Sequence, residues 1–190
     1  MKQALRQIGS LVGLTLTGTL GAIVAGLCVY GSAVFNPTSP GFMFVSFGFS
    51  GALIFAFYHV RGLSQSIAAA AVVSAAQFAA VSQFITTLRA AIFSFGLNLP
   101  VIALAFVFER KLSPHGRWKF VVVGLTYGAM FVLLTLVSDF AFGMEGLPAQ
   151  VFRDNLLDGL LLGTGLGIGI QGGEAMIHSL EPPGPAHTRK

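Results

Sequence analysis

Six long apolar runs, separated by short polar segments, constrain the fold of this chain more than any other feature. Each run is close to the roughly 20 residues that a helix needs to cross a bilayer. Only 9% of the 190 residues are charged, whereas a soluble domain has about 25%, so the chain has too little polar surface for a water-soluble globule. The runs cover residues 8–34, 41–60, 63–88, 90–108, 120–142 and 156–177.

This pattern predicts an all-α integral membrane protein, a six-helix transmembrane bundle that forms one domain over residues 1–180. Residues 181–190 are rich in proline and polar side chains, and we expect them to form a disordered cytoplasmic tail. The boundary between the third and fourth runs is weakly marked. Residues 63–108 would make one helix of about 69 Å, roughly twice the core thickness. We therefore expect a turn near Thr86–Arg89, where Arg89 carries the one charge of this segment.

Basic residues are distributed unequally between the two predicted faces of the membrane. With six spans, nine Lys and Arg residues fall on one face and two, Arg89 and Arg153, fall on the other. Cytoplasmic loops carry the excess of Lys and Arg, so we expect both termini in the cytoplasm and a multi-pass protein of the cell inner (plasma) membrane. Lys2 and Arg6 before an apolar run also resemble a signal peptide, an alternative that the length of the run disfavours.

The sixth run contains glycines in two patterns that imply different functions. Gly167, Gly169 and Gly172 fit the G-x-G-x-x-G motif of dinucleotide-binding loops, but such a loop must follow a β-strand, and the residues before it are apolar at helical density. Gly165, Gly169 and Gly173 instead recur every four residues. Small residues at this spacing let two membrane helices approach closely, so the sixth run is interpreted as a packing helix.

The first run repeats this small-residue spacing at Thr17, Gly21 and Ala25. Together with the glycines of the sixth run, Gly21 and Ala25 are therefore predicted to be helix-packing residues of a glycine zipper. The spacing fits two arrangements, packing inside the chain and docking of a second copy or of other membrane subunits, and the first is favoured because small-residue faces serve any close helix contact.

Other motifs do not meet the geometric requirements of catalysis or metal binding. Gly48-Phe-Ser50-Gly51 matches the G-x-S-G motif of rhomboid intramembrane proteases, but that chemistry needs a histidine at the depth of the serine, and His178 lies at the far end of its run. Glu174 and His178 are four residues apart, yet two ligands do not complete a metal site. We therefore expect no enzyme activity, no metal, no cofactor and, without a basic stripe, no nucleic-acid partner.

The remaining polar residues in or near the spans define a candidate solute site. Charged side chains close to lipid usually pair or line a wet cavity, and Arg89 is expected to pair with Asp139 or Asp158 near the outer face. Gln83 and Asn98 bring uncharged amides that suit a polar small molecule. The alternatives are that the charges lie at headgroup level and that the amides only join helices.

Two functions fit these features. The first is transport or binding of a small polar solute through a pocket near the outer side, formed by Gln83, Arg89, Asn98, Asp139 and Asp158. The second is a non-catalytic membrane subunit or scaffold that docks other membrane helices through glycine faces. Both require the lipid bilayer as a partner. A small solute belongs to the first function, and a homo-oligomer or other membrane subunits belong to the second.

Overall fold

The structure, a computed structural model, describes residues 2–82, 87–112, 119–141 and 149–179. The regular structure of these residues is entirely helical, which confirms the predicted all-α fold. The predicted tail, 181–190, lies outside the described residues. A short 3-10 helix, Gly31–Phe35, follows the first α-helix. The six α-helices are α1 (Lys2–Tyr30), α2 (Pro40–Arg61), α3 (Leu63–Val81), α4 (Thr87–Leu112), α5 (Lys119–Ala141) and α6 (Ala149–Ser179).

The helices form a closed ring in which each helix packs against the next and α6 returns to α1. Neighbours run antiparallel at their closest contacts: along α1 and α2, Gly26 lies beside Phe44 and Gly18 lies beside Ala52. α2 also contacts α4 and α6 across the ring. The apolar section of α2 is 56% buried, against 28–33% for the other four candidate spans, so α2 is the helix around which the others pack.

Because neighbouring helices run antiparallel, each end of the bundle contains the beginnings of some helices and the ends of others. The Tyr30 end contains the last residues of α1 and the first residues of α2, and it is the end predicted to face outward. The His59 end contains the first residues of α1 and the last residues of α2, and it is the end predicted to face the cytoplasm.

The composition and surface of the helices fit a membrane. Five helices are long and apolar enough to cross one, and in α4 the described apolar section is the shorter Ala90–Pro100. The outward faces are apolar too: Leu16, Leu20 and Val24 recur on α1 at four-residue spacing and are 57–61% exposed. Large apolar surface of this kind is stable against lipid and unfavourable in water, so the chain is a helical membrane protein.

Local residue chemistry explains how α2 begins and ends. Ser39 Oγ accepts the backbone N–H of Phe42 at 3.2 Å, and Pro40 occupies the first position of the helix, a combination that favours a helix start. Gly62 links α2 to α3 with a φ of +85°. This backbone conformation is essentially restricted to glycine, so a single residue is enough to reverse the chain.

The expected turn near Thr86–Arg89 falls partly outside the described residues, which omit 83–86. α3 ends at Val81 and α4 begins at Thr87, so Arg89 lies within the first turn of α4. The backbone N–H of Ser82 donates to the carbonyl of Phe78 at 2.9 Å, and Ser82 Oγ donates to the carbonyl of Ala79 at 3.2 Å.

The glycine line at Gly165, Gly169 and Gly173 faces α1. A side-chain carbon on Gly165 would overlap the backbone oxygen of Gly21 and would lie 2.8 Å from Ala25 Cβ. A side-chain carbon on Gly169 would overlap the carbonyl oxygen of Thr17, and one on Gly173 would overlap the hydroxyl of Thr17. Because no side chain fits between them, the two backbones lie in direct contact.

A second glycine line on α6 faces α5. A side-chain carbon on Gly163 would overlap the carbonyl oxygen of Gly124, and one on Gly159 would lie 2.5 Å from that of Gly128. α6 therefore packs through backbone contact on two sides, against α1 and against α5. Both glycine lines make these contacts within one chain.

Candidate functional site

Two of the five residues predicted to bind a solute have described side chains, and these two have different surroundings. Gln83 lies outside the described residues, as do the side chains of Arg89 and Asp139. Asn98 is completely buried, whereas Asp158 is half-buried near the Tyr30 end of α6. The partners of the two residues are also different, so each is considered separately.

Asn98 belongs to a buried polar cluster that joins α3 and α4. Its Nδ2 donates to Gln77 Oε1 at 3.0 Å, and Ser74 Oγ lies 3.3 Å away. The same nitrogen lies 2.9 Å from the carbonyl of Ser94, one turn earlier in α4. Asn98 and Ser74 are fully buried and Gln77 is nearly so. The contacts with Gln77 and Ser74 are interhelical and the one with Ser94 lies within α4, and Asn98 lines neither of the two cavities described below.

Tyr127 extends the polar cluster to α2 and α5. Its hydroxyl donates to the carbonyl of Phe47 at 2.9 Å and lies 3.5 Å from Asn98 Oδ1. Gly51 leaves the space for this ring, because a side-chain carbon there would come within 3.1 Å of it. The buried polar cluster therefore connects four helices at the centre of the bundle, where an unpaired polar group would be costly.

A cavity of about 300 Å³ lies at the Tyr30 end, where all six helices contribute to its wall. Ligand pockets of this size are at the lower end of the usual range. Pro40 is exposed and Tyr30, Thr135 and Asn155 are partly exposed, so they form the rim. The lining residues are Tyr30, Pro40, Met43, Phe44, Phe47, Val81, Phe93, Phe131, Thr135 and Asn155.

Three phenylalanine rings form the aromatic floor of this cavity, Phe47, Phe93 and Phe131. Their ring centroids are 5.5–6.2 Å apart with interplanar angles of 48–65°, the tilted arrangement that aromatic pairs prefer. The carbonyl of Phe47 also accepts the hydroxyl of Tyr127, so Phe47 contacts both the cavity and the buried polar cluster.

The rim of the cavity carries its polar groups. Tyr30 donates its hydroxyl to Asp158 Oδ2 at 2.5 Å, which links the end of α1 to α6. Asn155, one turn before Asp158, lines the cavity, and its buried Nδ2 has no hydrogen-bond acceptor among the described residues. A cavity with an aromatic body and a polar rim suits a ligand with one apolar part and one polar part.

A second cavity, of about 320 Å³, lies at the His59 end between α1, α2 and α6. His59 Nε2 lies 3.5 Å from Glu174 Oε1, and Gln171 Nε2 lies 3.4 Å from the other oxygen of that carboxylate. Arg6 and His178 also line this cavity. The described residues bring no group of three metal-ligating side chains together.

Ser50 is buried and makes its hydrogen bond within α2. It is 3% exposed, and its Oγ donates to the carbonyl of Ser46 at 2.9 Å. This bond to the carbonyl one turn earlier is common for serine in membrane helices. Ser50 is therefore accommodated in the contact between α2 and its neighbours.

Sequence reasoning did not identify the aromatic floor or the role of Tyr30. Phe47, Phe93 and Phe131 lie on three different helices, and a phenylalanine in an apolar run has the same sequence signature whether it faces lipid or a cavity. Tyr30 lies near the end of an apolar run, a position that is equally typical of the tyrosines at membrane interfaces. A tyrosine and an aspartate at the same predicted depth were the only signal for their hydrogen bond.

Comparison of the chain with protein-family models, curated proteins and solved structures found no match. The function is therefore argued from the cavity and its residues.

Proposed function

We propose that this protein binds a small solute in the cavity at the Tyr30 end and acts as a non-catalytic transport or solute-binding protein of the inner membrane. The observation that carries the proposal is the contribution of all six helices to one cavity. A solute in that cavity touches every helix, so its binding energy acts on the packing of the whole bundle. A ligand changes the conformation of a carrier only if it binds the two conformations with different free energies, and a solute that touches every helix can do so when the helices move.

The lining favours a solute with an apolar or aromatic body and one polar group. Seven of the ten lining residues are apolar, and Tyr30, Thr135 and Asn155 supply the polar contacts. Binding pockets generally combine a mostly apolar wall with a few polar groups that orient the ligand. The proposed solute therefore keeps the polar group expected from the sequence but also has an apolar body.

The proposed orientation has the Tyr30 end outside and both termini in the cytoplasm. Its support is the unequal distribution of basic residues, nine on one face and two on the other, because Lys and Arg are enriched in cytoplasmic loops. In this orientation the cavity takes its solute from the outer side of the membrane.

Docking of other membrane helices through glycine faces is the second candidate function. The glycines that suggested it contact α1 and α5 inside the chain, so they are not available as a free docking face. This occupancy favours solute binding over the scaffold function.

Native mass spectrometry of the detergent-purified protein tests the proposed function. The probes are three water-soluble aromatic compounds of different charge: benzyltrimethylammonium, benzyl alcohol and benzoate. We expect at least one of them to form a complex with one probe per chain, because the aromatic floor and the polar rim accept a compound of this size and shape.

Two tryptophan variants of α5 show whether a complex uses the cavity. Thr135→Trp narrows the cavity, whereas Leu133→Trp adds the same bulk at a 51% exposed position on the same helix. The complex should persist in Leu133→Trp and disappear in Thr135→Trp. Absence of a complex with all three probes, or a complex that Thr135→Trp leaves unchanged, would reject the proposed function.

A further inference from the structure

Asp158 is a half-buried carboxylate inside a candidate membrane span, Phe152–Ser179. Its hydrogen-bond partner is the hydroxyl of Tyr30, a neutral group. The ion pairs among the described side chains involve other carboxylates, those of Glu174 and Asp154. An ionisable group in a membrane helix is costly unless it is paired or hydrated, so Asp158 is suited to a positive charge that a ligand would bring.

The cavity beside Asp158 is lined by aromatic rings. Five of its ten lining residues are Tyr or Phe, and none is Lys or Arg. The face of an aromatic ring attracts a cation, and the attraction is stronger when the cation is desolvated. An anionic solute would meet the opposite conditions, with no basic lining residue and a carboxylate near the rim.

Tyr30 connects the two features. Its ring lines the cavity and its hydroxyl donates to Asp158, so the carboxylate is one hydrogen bond away from the cavity wall. Asp154, one turn nearer the start of α6, pairs with Arg153 at 3.3 Å on the exposed surface. That pair is neutral as a whole, so among the described side chains at this part of the rim the carboxylate without a basic partner is that of Asp158.

We propose that the solute of the Tyr30-end cavity is an organic cation, an ammonium compound with an aromatic or aliphatic body. This inference rests on the proposed function. The ammonium group lies at the rim, where the carboxylate of Asp158 balances its charge and the ring of Tyr30 attracts it, and the apolar body packs against the floor formed by Phe47, Phe93 and Phe131.

The test compares equilibrium binding of benzyltrimethylammonium and benzyl alcohol to the purified protein by isothermal titration calorimetry. The two probes share the aromatic body and differ in charge. We expect benzyltrimethylammonium to bind roughly tenfold more tightly, because a partly desolvated cation gains from both the rings and the carboxylate. Asp158→Asn should remove this preference, since the uncharged amide oxygen that replaces the carboxylate still accepts the Tyr30 hydrogen bond.

A second pair of variants tests the aromatic contribution without altering the carboxylate. Phe131→Leu removes a ring of the floor and keeps an apolar side chain, and Phe49→Leu makes the same change at a 46% exposed position of α2. Phe131→Leu should weaken benzyltrimethylammonium binding by about threefold to tenfold, while Phe49→Leu should not weaken it.

The outcomes separate the two proposals. If benzyl alcohol binds in the cavity as tightly as benzyltrimethylammonium, the cation inference is wrong and the proposed function stands. If neither of these probes binds but benzoate does, only the cation inference is wrong, and if none of the three binds, both are wrong. A preference for the cation that persists in Asp158→Asn would also overturn the inference. Should Asp158→Asn fail to fold, an unchanged affinity in Phe131→Leu would overturn it.

Discussion

At the scale of single residues, polar side chains in this bundle serve two different purposes. Asn98 and Gln77 bond to each other across α3 and α4, and Tyr127 joins the same cluster from α5. Asp158 instead bonds to Tyr30 at the rim of a cavity. The first group joins helices, and the second belongs to the rim at which the proposed ligand would bind.

The bond between Asn98 and Gln77 should contribute measurably but modestly to stability. A double-mutant cycle of Asn98→Leu and Gln77→Leu is expected to give a coupling free energy of about 0.6 kcal/mol, the average for interhelical hydrogen bonds in membranes. The free energy of unfolding in mixed micelles measures it.

The same variants also show whether the Asn98–Gln77 bond affects only the stability of the protein or also its binding of the probes. The folded double variant should bind the probes of the Tyr30-end cavity as the wild-type protein does, because neither residue lines that cavity. A coupling energy of zero, or a folded double variant that no longer binds any probe that the wild type binds, would contradict the structural role.

At the scale of helices, α6 depends on backbone contact on two sides. Gly163→Ala adds a carbon that overlaps the carbonyl oxygen of Gly124 on α5, and overpacking of this kind typically costs about 1–3 kcal/mol. Gly172→Ala is the matched control in the same helix, since its added carbon meets nothing within 4 Å.

We expect Gly163→Ala to lower the thermal unfolding temperature and Gly172→Ala to leave it unchanged or raise it, because alanine has the higher helix propensity. Thermal unfolding in one detergent measures both variants. Equal effects of the two substitutions would show that close contact between α5 and α6 does not limit stability.

The turn between α2 and α3 provides a separate test, in which backbone conformation and not crowding matters. Gly62 has a φ of +85° and open space around its α-carbon. Gly62→Ala should therefore cost about 1–3 kcal/mol from strain alone. Gly9→Ala, at another uncrowded glycine but in helical α1, should cost nothing, and a loss of stability in both variants alike would contradict the strain explanation.

The sequence was sufficient to predict the helices but not their ends or the cavity. Apolar runs of membrane length identified all six helices, since length and hydropathy are local properties. α3 ends at Val81, inside a continuous apolar run, and a hydropathy pattern does not mark such an end. The cavity depends on which faces of six helices meet, and Phe47, Phe93 and Phe131 become neighbours only through tertiary packing.

At the scale of the whole molecule, a cavity lies at each end of the ring of helices. The Tyr30-end cavity receives described residues from all six helices, and the His59-end cavity receives them from three. Phe47 of the aromatic floor also accepts a hydrogen bond from Tyr127 of the buried polar cluster. The account therefore requires six crossings that present this cavity to the outer side.

Cysteine labelling in intact cells tests this requirement most directly. With the single native cysteine removed by Cys28→Ser, single cysteines are introduced by Asn155→Cys at the cavity rim, by Ser10→Cys at the His59-end cavity and by Leu133→Cys on the exposed apolar face of α5. A membrane-impermeant maleimide should label Asn155→Cys in intact cells, Ser10→Cys only after permeabilisation, and Leu133→Cys in neither case. Labelling of Asn155→Cys only after permeabilisation, or of Ser10→Cys in intact cells, would contradict the account.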